Sequence, residues 1–397
     1  MSSRGRIAIL TGGGDVPGLN PAIRAVTLRA NREGYDVLGI RRGWGGLVDV
    51  VPDAHADNSG AVIELTNAVV RTAGRTGGTF LHSSRTRPSH LPKEYVPPHL
   101  KDRYGADIND ITPEILKNLD FLGIDTLIAI GGDDTLSYAH RLHTEGAKVI
   151  AIPKTMDNDV PGTDYCIGFS TCVTRTIELT HRLRTSAGSH ERILVIEVFG
   201  RYAGYTALVP AMAGASDRCV IPEHPFDIEH LTRLLVEDRA RNPSQYSVVL
   251  VSEGAVMTGQ YDMVFSEEET DQYGHKKLGG IGDRVSKAIR DLSPKFNDGR
   301  HINTTSQRLG YLVRSGDPDA LDSIVPMAFG NLALDLIEQG RSGLLVCVRD
   351  GVYDSVPIEV VFDAAKTVDV AQFYNTERLR PNYRTFEGKP LFIMTSG

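Results

Sequence analysis

Three short stretches combine carboxylate and hydroxyl groups, two of them with glycine, in patterns suited to an anionic substrate. The first is Thr11-Gly12-Gly13-Gly14-Asp15-Val16-Pro17-Gly18, which follows an apolar run and opens an amphipathic one. Residues without Cβ let backbone N–H groups approach an anion, and a helix N-terminus adds partial positive charge. The stretch fits neither common nucleotide template: a dinucleotide fingerprint needs glycine where Pro17 stands, and a P-loop needs Gly-Lys before Ser or Thr. A tight strand-to-helix turn is the alternative reading. The second stretch, Gly131-Gly132-Asp133-Asp134-Thr135, again joins glycines to a helix start but carries adjacent carboxylates. These would repel a bare phosphate, so Mg²⁺ bridging carboxylate to phosphate is the chemistry implied. Asp134 as a helix cap is the alternative, and one Asp suffices for that. The third stretch is Pro153-Lys154-Thr155-Met156-Asp157-Asn158-Asp159-Val160. Read as extended chain, its alternation puts Thr155, Asp157 and Asp159 on one side, like a base and its supporting group over a substrate hydroxyl. Lys154 beside them is a compact cation suited to phosphate, and a polar turn is the alternative.

The elements that must position these groups are legible as alternating patterns. Short apolar runs at 7–10, 36–40, 125–132, 149–154, 193–200, 247–254 and 344–351 are too continuous for half-exposed strands and too short for helices. They fit strands covered on both faces. Amphipathic stretches at 21–34, 112–122, 135–145, 171–186, 228–242 and 320–339 lie between them. Alternating strand and helix predicts a doubly wound α/β fold with sites at the carboxyl ends of strands. With 397 residues, and about 100–200 per domain usual, two lobes are expected. Residues 83–111 and 256–282 break the alternation and read as surface insertions.

Composition narrows the function classes. The net charge is −7 and no Lys/Arg block stands out, so nucleic-acid binding through phosphate neutralisation is not expected. Positive groups appear singly instead, as Arg85, Arg192, Arg201 and Arg314, several just past strand ends like Glu253. Arg forks match phosphate oxygens bidentately, although each one alone reads as a surface ion pair. Cys166, Cys172, Cys219 and Cys347 form no CxxC pair, which suggests buried free thiols rather than zinc. No run approaches about 18 apolar residues and no signal peptide is evident, so a cytoplasmic protein without membrane contact is expected.

In order, TGGGDVPGLN, GGTFLHSSR, IGGDDTL, PKTMDNDVPGTDYCIGF, SHERILVIEVFGRYAGYTAL, VSEGA and LGYLVRSGDPDALDSI resemble the phosphofructokinase family from about residue 5 to 350. The resemblance implies two Rossmann-like doubly wound lobes with the active site in the cleft between them. The donor and Mg²⁺ lobe would be residues 1–168 plus 314–361, and the sugar-phosphate lobe 169–313 plus 362–397. It further implies phosphoryl transfer to the 1-hydroxyl of fructose 6-phosphate, in glycolysis or gluconeogenesis. Asp157 would be the base, supported by Asp159, with Thr155 touching donor or sugar. Gly13, Gly14 and Arg85 would hold the transferred phosphate, Asp133 the Mg²⁺, and Arg201 the developing charge. Phe199, Gly200, Glu253, Tyr311 and Arg314 would line the sugar site. Arg192 would reach a neighbouring subunit, so a homodimer or homotetramer is implied.

Asp134 and Lys154 match the pyrophosphate-using members, whereas ATP-using members carry glycine at both places. A carboxylate where the ATP α-phosphate would sit is opposed by about 4 kcal/mol for unit charges about 4 Å apart at an effective dielectric of 20. Lys154 would instead neutralise pyrophosphate, in a nearly reversible reaction. Three departures bear on the sugar: Thr305 stands where many members have arginine, with Arg308 the nearest replacement, and Tyr311 and Phe199 replace the usual His and Met. Leu28 replaces an effector-binding arginine, so nucleotide control is not expected. The alternatives are an ATP-dependent or mixed-donor sugar-phosphate kinase, sedoheptulose 7-phosphate as acceptor, and a non-catalytic phosphometabolite-binding protein. The segment after Tyr374 is expected to close over the sugar site.

Overall fold

Apolar runs too continuous for one-sided burial must be covered on both faces, and the chain achieves this twice. The computed structural model describes residues 3–259, 263–270, 276–384 and 387. Along the chain, β1 (Arg6–Thr11), β2 (Asp36–Ile40), β3 (Val62–Glu64), β4 (Thr126–Gly131) and β5 (Val149–Pro153) build one sheet. Next, β6 (Ile193–Val198), β7 (Arg218–Val220), β8 (Ser247–Ser252) and β9 (Thr304–Arg308) build a second, and β10 (Leu344–Arg349) and β11 (Val352–Pro357) return to the first. The larger sheet runs β11-β10-β5-β4-β1-β2-β3, parallel except for its antiparallel edges β3 and β11. The smaller runs β9-β6-β8-β7, all parallel. Ile7 and Ile9 join one apolar cluster while Ala8 and Leu10 join the other, so both faces of β1 are buried. These are two Rossmann-like lobes, the fold expected from the sequence.

Helices α1 (Leu19–Arg32), α2 (Asp133–Thr144), α3 (Phe169–Ser189) and α4 (Leu321–Glu338) start at the loops that matter for the site. The chain passes from the larger sheet to the smaller through α3 and back through α4. Asp322, fully buried at the start of α4, fixes that junction. It accepts from Tyr165 Oη (2.8 Å), Gly168 N (2.7 Å), Thr171 N (2.8 Å) and Thr171 Oγ1 (2.6 Å).

Three features differ from the sequence reading. The stretch 83–111 is anchored rather than merely superficial: Leu91, Val96 and Leu100 are buried in one cluster with Trp44. Strand β9, Thr-Thr-Ser-Gln-Arg, is polar and gave no strand signal, because an edge strand needs no apolar run on its outer side. The tail lies beside β7, where Cys219 N donates to Leu379 O (2.9 Å) and Tyr374 Oη to Cys219 O (2.7 Å). No described tail residue lines the cavity, so residues 374–384 do not close over the sugar site as expected; residues 385–386 and 388–397 lie outside the described residues. Part of the stretch 256–282 lies outside the described residues. The cysteines are free and buried, and burial pushes the Cys166 thiol up to about 12. Among the described residues, no helix is long and apolar enough to cross a membrane.

Candidate active site

A cavity of about 1480 Å³ opens between the carboxyl ends of the two sheets. Gly13, Gly14, Asp15 and Arg85 line it from the larger sheet's side, and Phe199, Arg201, Glu253, Arg308, Tyr311 and Arg314 from the other. Residues scattered from 13 to 314 therefore face one volume, because parallel strands deliver all their following loops to one edge.

The two glycine loops interlock before any ligand arrives. A Cβ at Gly12 would stand 2.5 Å from Thr135 Oγ1, so the first loop can rest on the second only without a side chain there. Gly12 N donates to Ile130 O (2.9 Å) and Gly13 N to Ser84 O (3.0 Å). Those amides are spent on the scaffold, which corrects the expectation that they cradle an anion. The positive charge comes from side chains instead. Lys154 is buried, and its Nζ donates to Gly14 O at 2.6 Å. Burial, reinforced by Arg314, lowers its ammonium to about 8. Arg314 pairs with Asp15 at 3.3 Å and lies over the Tyr311 ring at 4.4 Å.

The carboxylates meet through a turn rather than an extended segment. The chain turns at Met156 and Asp157, and Asn158 takes a left-handed φ of 57°. Asn158 is fully buried, donating through Nδ2 to Asp164 O (3.0 Å) and accepting at Oδ1 from Cys166 N (2.8 Å). Thr155 Oγ1 accepts from Asp157 N (3.2 Å), and the same hydroxyl hydrogen-bonds the Asp159 carboxylate. Thr155, Asp157 and Asp159 do converge, but the alternation argued from the sequence is not the cause. Asp157 Oδ2 accepts from Arg201 N at 3.4 Å, while its Oδ1 is buried without a partner. Burial, then the charges of Asp159 and Glu253, hold the Asp157 carboxyl well above the usual carboxylate range.

Asp133 and Asp134 occupy the first turn of α2, where the helix dipole favours negative charge. The N-cap is Gly132, so neither carboxylate fills that position. Solvent reaches Asp133, yet desolvation by the surrounding protein, then Asp159 and Asp134, pushes its carboxyl up to about 7. Carboxyls that raise one another's proton affinity are a setting a divalent cation relieves. Among the described residues no three His, Cys, Asp or Glu side chains form a metal cage. Two adjacent carboxylates are a donor set compatible with Mg²⁺, which keeps waters and takes phosphate oxygens alongside one or two carboxylates.

On the opposite wall, Gly254 N donates to Gly200 O (3.1 Å) and Glu253 N to Val198 O (2.9 Å), fixing the two strand ends together. Burial pushes the Glu253 carboxyl up to about 7 against the pull of Arg201 and Arg308. Arg308 Nε pairs with Glu197 Oε1 at 3.2 Å and Nη2 approaches Glu253 Oε2 at 3.9 Å. Glu197 Oε2 also accepts from Gly280 N and Gly282 N, both at 2.9 Å. Sequence reasoning passed over Glu197, although a carboxylate inside the run ILVIEV was itself a signal. Arg308 sits at the carboxyl end of β9, whereas Thr305 lies toward its start and accepts from Arg192 Nη1 at 3.2 Å. Arg308 therefore does not replace the arginine missing at 305. Arg192 precedes β6, at the end away from Phe199, and does not line this cavity.

Comparisons with known proteins agree in family and divide over the donor. A phosphofructokinase family model matches residues 6–337. The pyrophosphate–fructose 6-phosphate 1-phosphotransferase of Streptomyces coelicolor is 40% identical over 370 residues, which is 93% of this chain and 97% of that one. The ATP-dependent 6-phosphofructokinase 3 of the same organism is 34% identical over 374 residues, 94% of this chain and 99% of that one. The solved pyrophosphate-dependent phosphofructokinase from Marinobacter aquaeolei shares the fold at a TM-score of 0.69 and 19% identity, covering 96% of this chain and 89% of that chain.

Proposed function

Because the chain belongs to the phosphofructokinase family, we propose that it transfers a phosphoryl group from pyrophosphate to the 1-hydroxyl of fructose 6-phosphate. The observation that carries this reading is the Asp157 carboxylate, with one oxygen on the Arg201 amide and the other buried and unpartnered. A buried acceptor left open beside a cavity-lining arginine is what a base needs to receive a substrate hydroxyl proton.

The chain's residues then take definite parts. Asp157 accepts the 1-hydroxyl proton as the oxygen attacks the phosphorus, and the bridging P–O bond of pyrophosphate breaks to release inorganic phosphate. Thr155, tied to Asp157 N and Asp159, fixes the carboxylate's orientation. Arg201 faces the charge that spreads over the transferred phosphoryl oxygens, and Arg85 and Gly14 bound its donor side. Glu253, Arg308, Tyr311 and Arg314 surround the sugar phosphate, with Phe199 and Gly200 shaping that wall. Asp133 would hold Mg²⁺, which neutralises phosphate charge when bound. Such catalysis is positioning and electrostatics more than covalent chemistry.

Pyrophosphate as donor is supported by Asp134 in the first turn of α2 and Lys154 against Gly14. A donor lacking a nucleoside needs fixed positive charge within the phosphate pocket, and Lys154 supplies it. ATP is the competing donor, since a relative covering nearly the whole chain bears that name. The deciding experiment compares initial rates of the purified protein with Mg²⁺ and fructose 6-phosphate, given pyrophosphate or ATP. Turnover with pyrophosphate and little with ATP is expected. The reverse would overturn the donor assignment, and silence with both would move the test to sedoheptulose 7-phosphate.

A further inference from the structure

Beside the carboxylates, a strap of residues 366–368 joins the loops of the two lobes. Lys366 is buried, and its backbone N donates to Asp159 O at 3.0 Å. Its Nζ donates to Thr163 O (2.7 Å) and Asp164 O (3.1 Å). The same Asp164 carbonyl accepts from Asn158 Nδ2, and Asn158 is the left-handed residue separating Asp157 from Asp159. Lys366 and Asn158 thus grip one carbonyl and fix the turn that presents both carboxylates.

The other end of the strap reaches the Arg201 loop. The Lys366 ammonium lies 5.7 Å from the centre of the Tyr205 ring, and Tyr205 Oη donates to Thr367 O at 2.5 Å. Glu223 Oε1 accepts from Val368 N (2.8 Å) and from Gly204 N (2.9 Å). Gly204 and Tyr205 open the helix that follows Arg201. We propose that Lys366 is a positioning residue: it and the strap hold the Asp157–Asp159 turn in fixed register with the Arg201 loop. The ammonium also brings positive charge to Asp159, as Lys154 does from the donor side. An uncharged side chain there would take from Thr163 O its ammonium donor and leave Asp164 O with Asn158 alone, loosening the turn.

This inference rests on Asp157 and Arg201 acting as proposed above, and the test separates the two. In the full-length protein, Lys366→Met is expected to lower kcat about tenfold or more, since slight misplacement of reacting groups is costly. KM for fructose 6-phosphate and for pyrophosphate should stay within about twofold, the pattern of an interaction felt in the transition state. Lys366→Arg should recover part of the loss. Glu223→Leu keeps Lys366 but cuts the strap from Gly204, and it should also lower kcat; the double variant should lose less than the two separate losses multiplied. Amide hydrogen exchange over residues 157–164 should quicken in Lys366→Met, a readout that needs no turnover.

Unchanged exchange, or a folded Lys366→Met with wild-type kcat, would overturn the proposal, as would fully multiplicative losses. If Lys366→Met does not fold, Glu223→Leu decides: wild-type kcat there overturns it. A wild-type protein inactive with either donor would instead overturn the functional reading, and the exchange measurement would still judge the strap.

Discussion

At the scale of single residues, burial decides what each charged group can do. Asp157 binds its proton more tightly than an ordinary carboxyl, because burial and two neighbouring carboxylates disfavour its charge. The base form therefore accumulates only as pH rises past the usual carboxylate range of about 4, and kcat should climb over that higher interval. Asp157→Asn removes the proton acceptor while keeping the shape, so kcat should fall by roughly 10²–10⁴. A steady-state pH profile of both proteins checks this, and a variant keeping wild-type kcat would exclude Asp157 as base. Lys154 and Asp134 predict a different change. Replacing both by glycine removes the buried cation at Gly14 O and the carboxylate at the start of α2. The ratio of kcat/KM for ATP to that for pyrophosphate should then rise, and an unmoved ratio would show that donor choice lies elsewhere. The candidate site residues were readable in the sequence because carboxylates and arginines stand out beside glycine. Their partners were not. Nothing in TGGG says that two of its amides are already bonded to Ile130 and Ser84, and nothing in TTSQR separates the end bearing Thr305 from the end bearing Arg308.

At the scale of elements, the loops after the strands hold the site, and they are held by contacts too close for side chains or too buried for water. A Cβ at Gly254 would stand 1.9 Å from Arg201 O. Gly254→Ala must therefore displace the Arg201 loop, and kcat should fall while the far ends of both sheets stay intact. Unaltered kinetics with an unaltered melting curve would show that the loop relaxes without consequence. Asp322 is the counterpart for stability. Its removal as Asp322→Ala leaves buried donors on Tyr165, Gly168 and Thr171, at about 1–3 kcal/mol each. Unfolding at markedly lower denaturant is expected, and a midpoint close to wild type would deny Asp322 that role. The same contrast explains which elements were legible. The buried parallel strands announce themselves as apolar runs, since both faces need cover. Strand β9 and the short β7 escape, because pairing to a neighbour, not a hydrophobic pattern, makes them strands. The turn at Asp157–Asn158 stood in the sequence as the alternative to an extended segment; what the local sequence does not reveal is that Asp164 and Cys166 are the partners that impose it.

At the scale of the molecule, Arg192 raises a question that one chain does not answer internally. Its guanidinium lies by Thr305 near the starts of β6 and β9, while the cavity opens at their carboxyl ends, a full strand length away. Parallel strands rise about 3.3 Å per residue, so the six residues of β6 put roughly 20 Å between the two ends. We propose that an arginine so placed contacts sugar phosphate in the cavity of a second copy, as the family resemblance implies, which would make the complete site a property of an assembly. Arg192→Ala should then raise KM for fructose 6-phosphate more than it lowers kcat, because it removes a binding contact and leaves the base in place. The sharper test mixes two crippled proteins. Co-refolded Arg192→Ala and Asp157→Asn chains can form interfaces in which an intact base meets an intact Arg192, whereas neither pure variant can. Activity at low fructose 6-phosphate should exceed the average of the two parents, and the gain should follow the fraction of mixed oligomer seen by native mass spectrometry. Mixing that restores nothing, or a fully active protein that stays monomeric at assay concentration, would confine Arg192 to its bond with Thr305 and make each chain's site complete in itself.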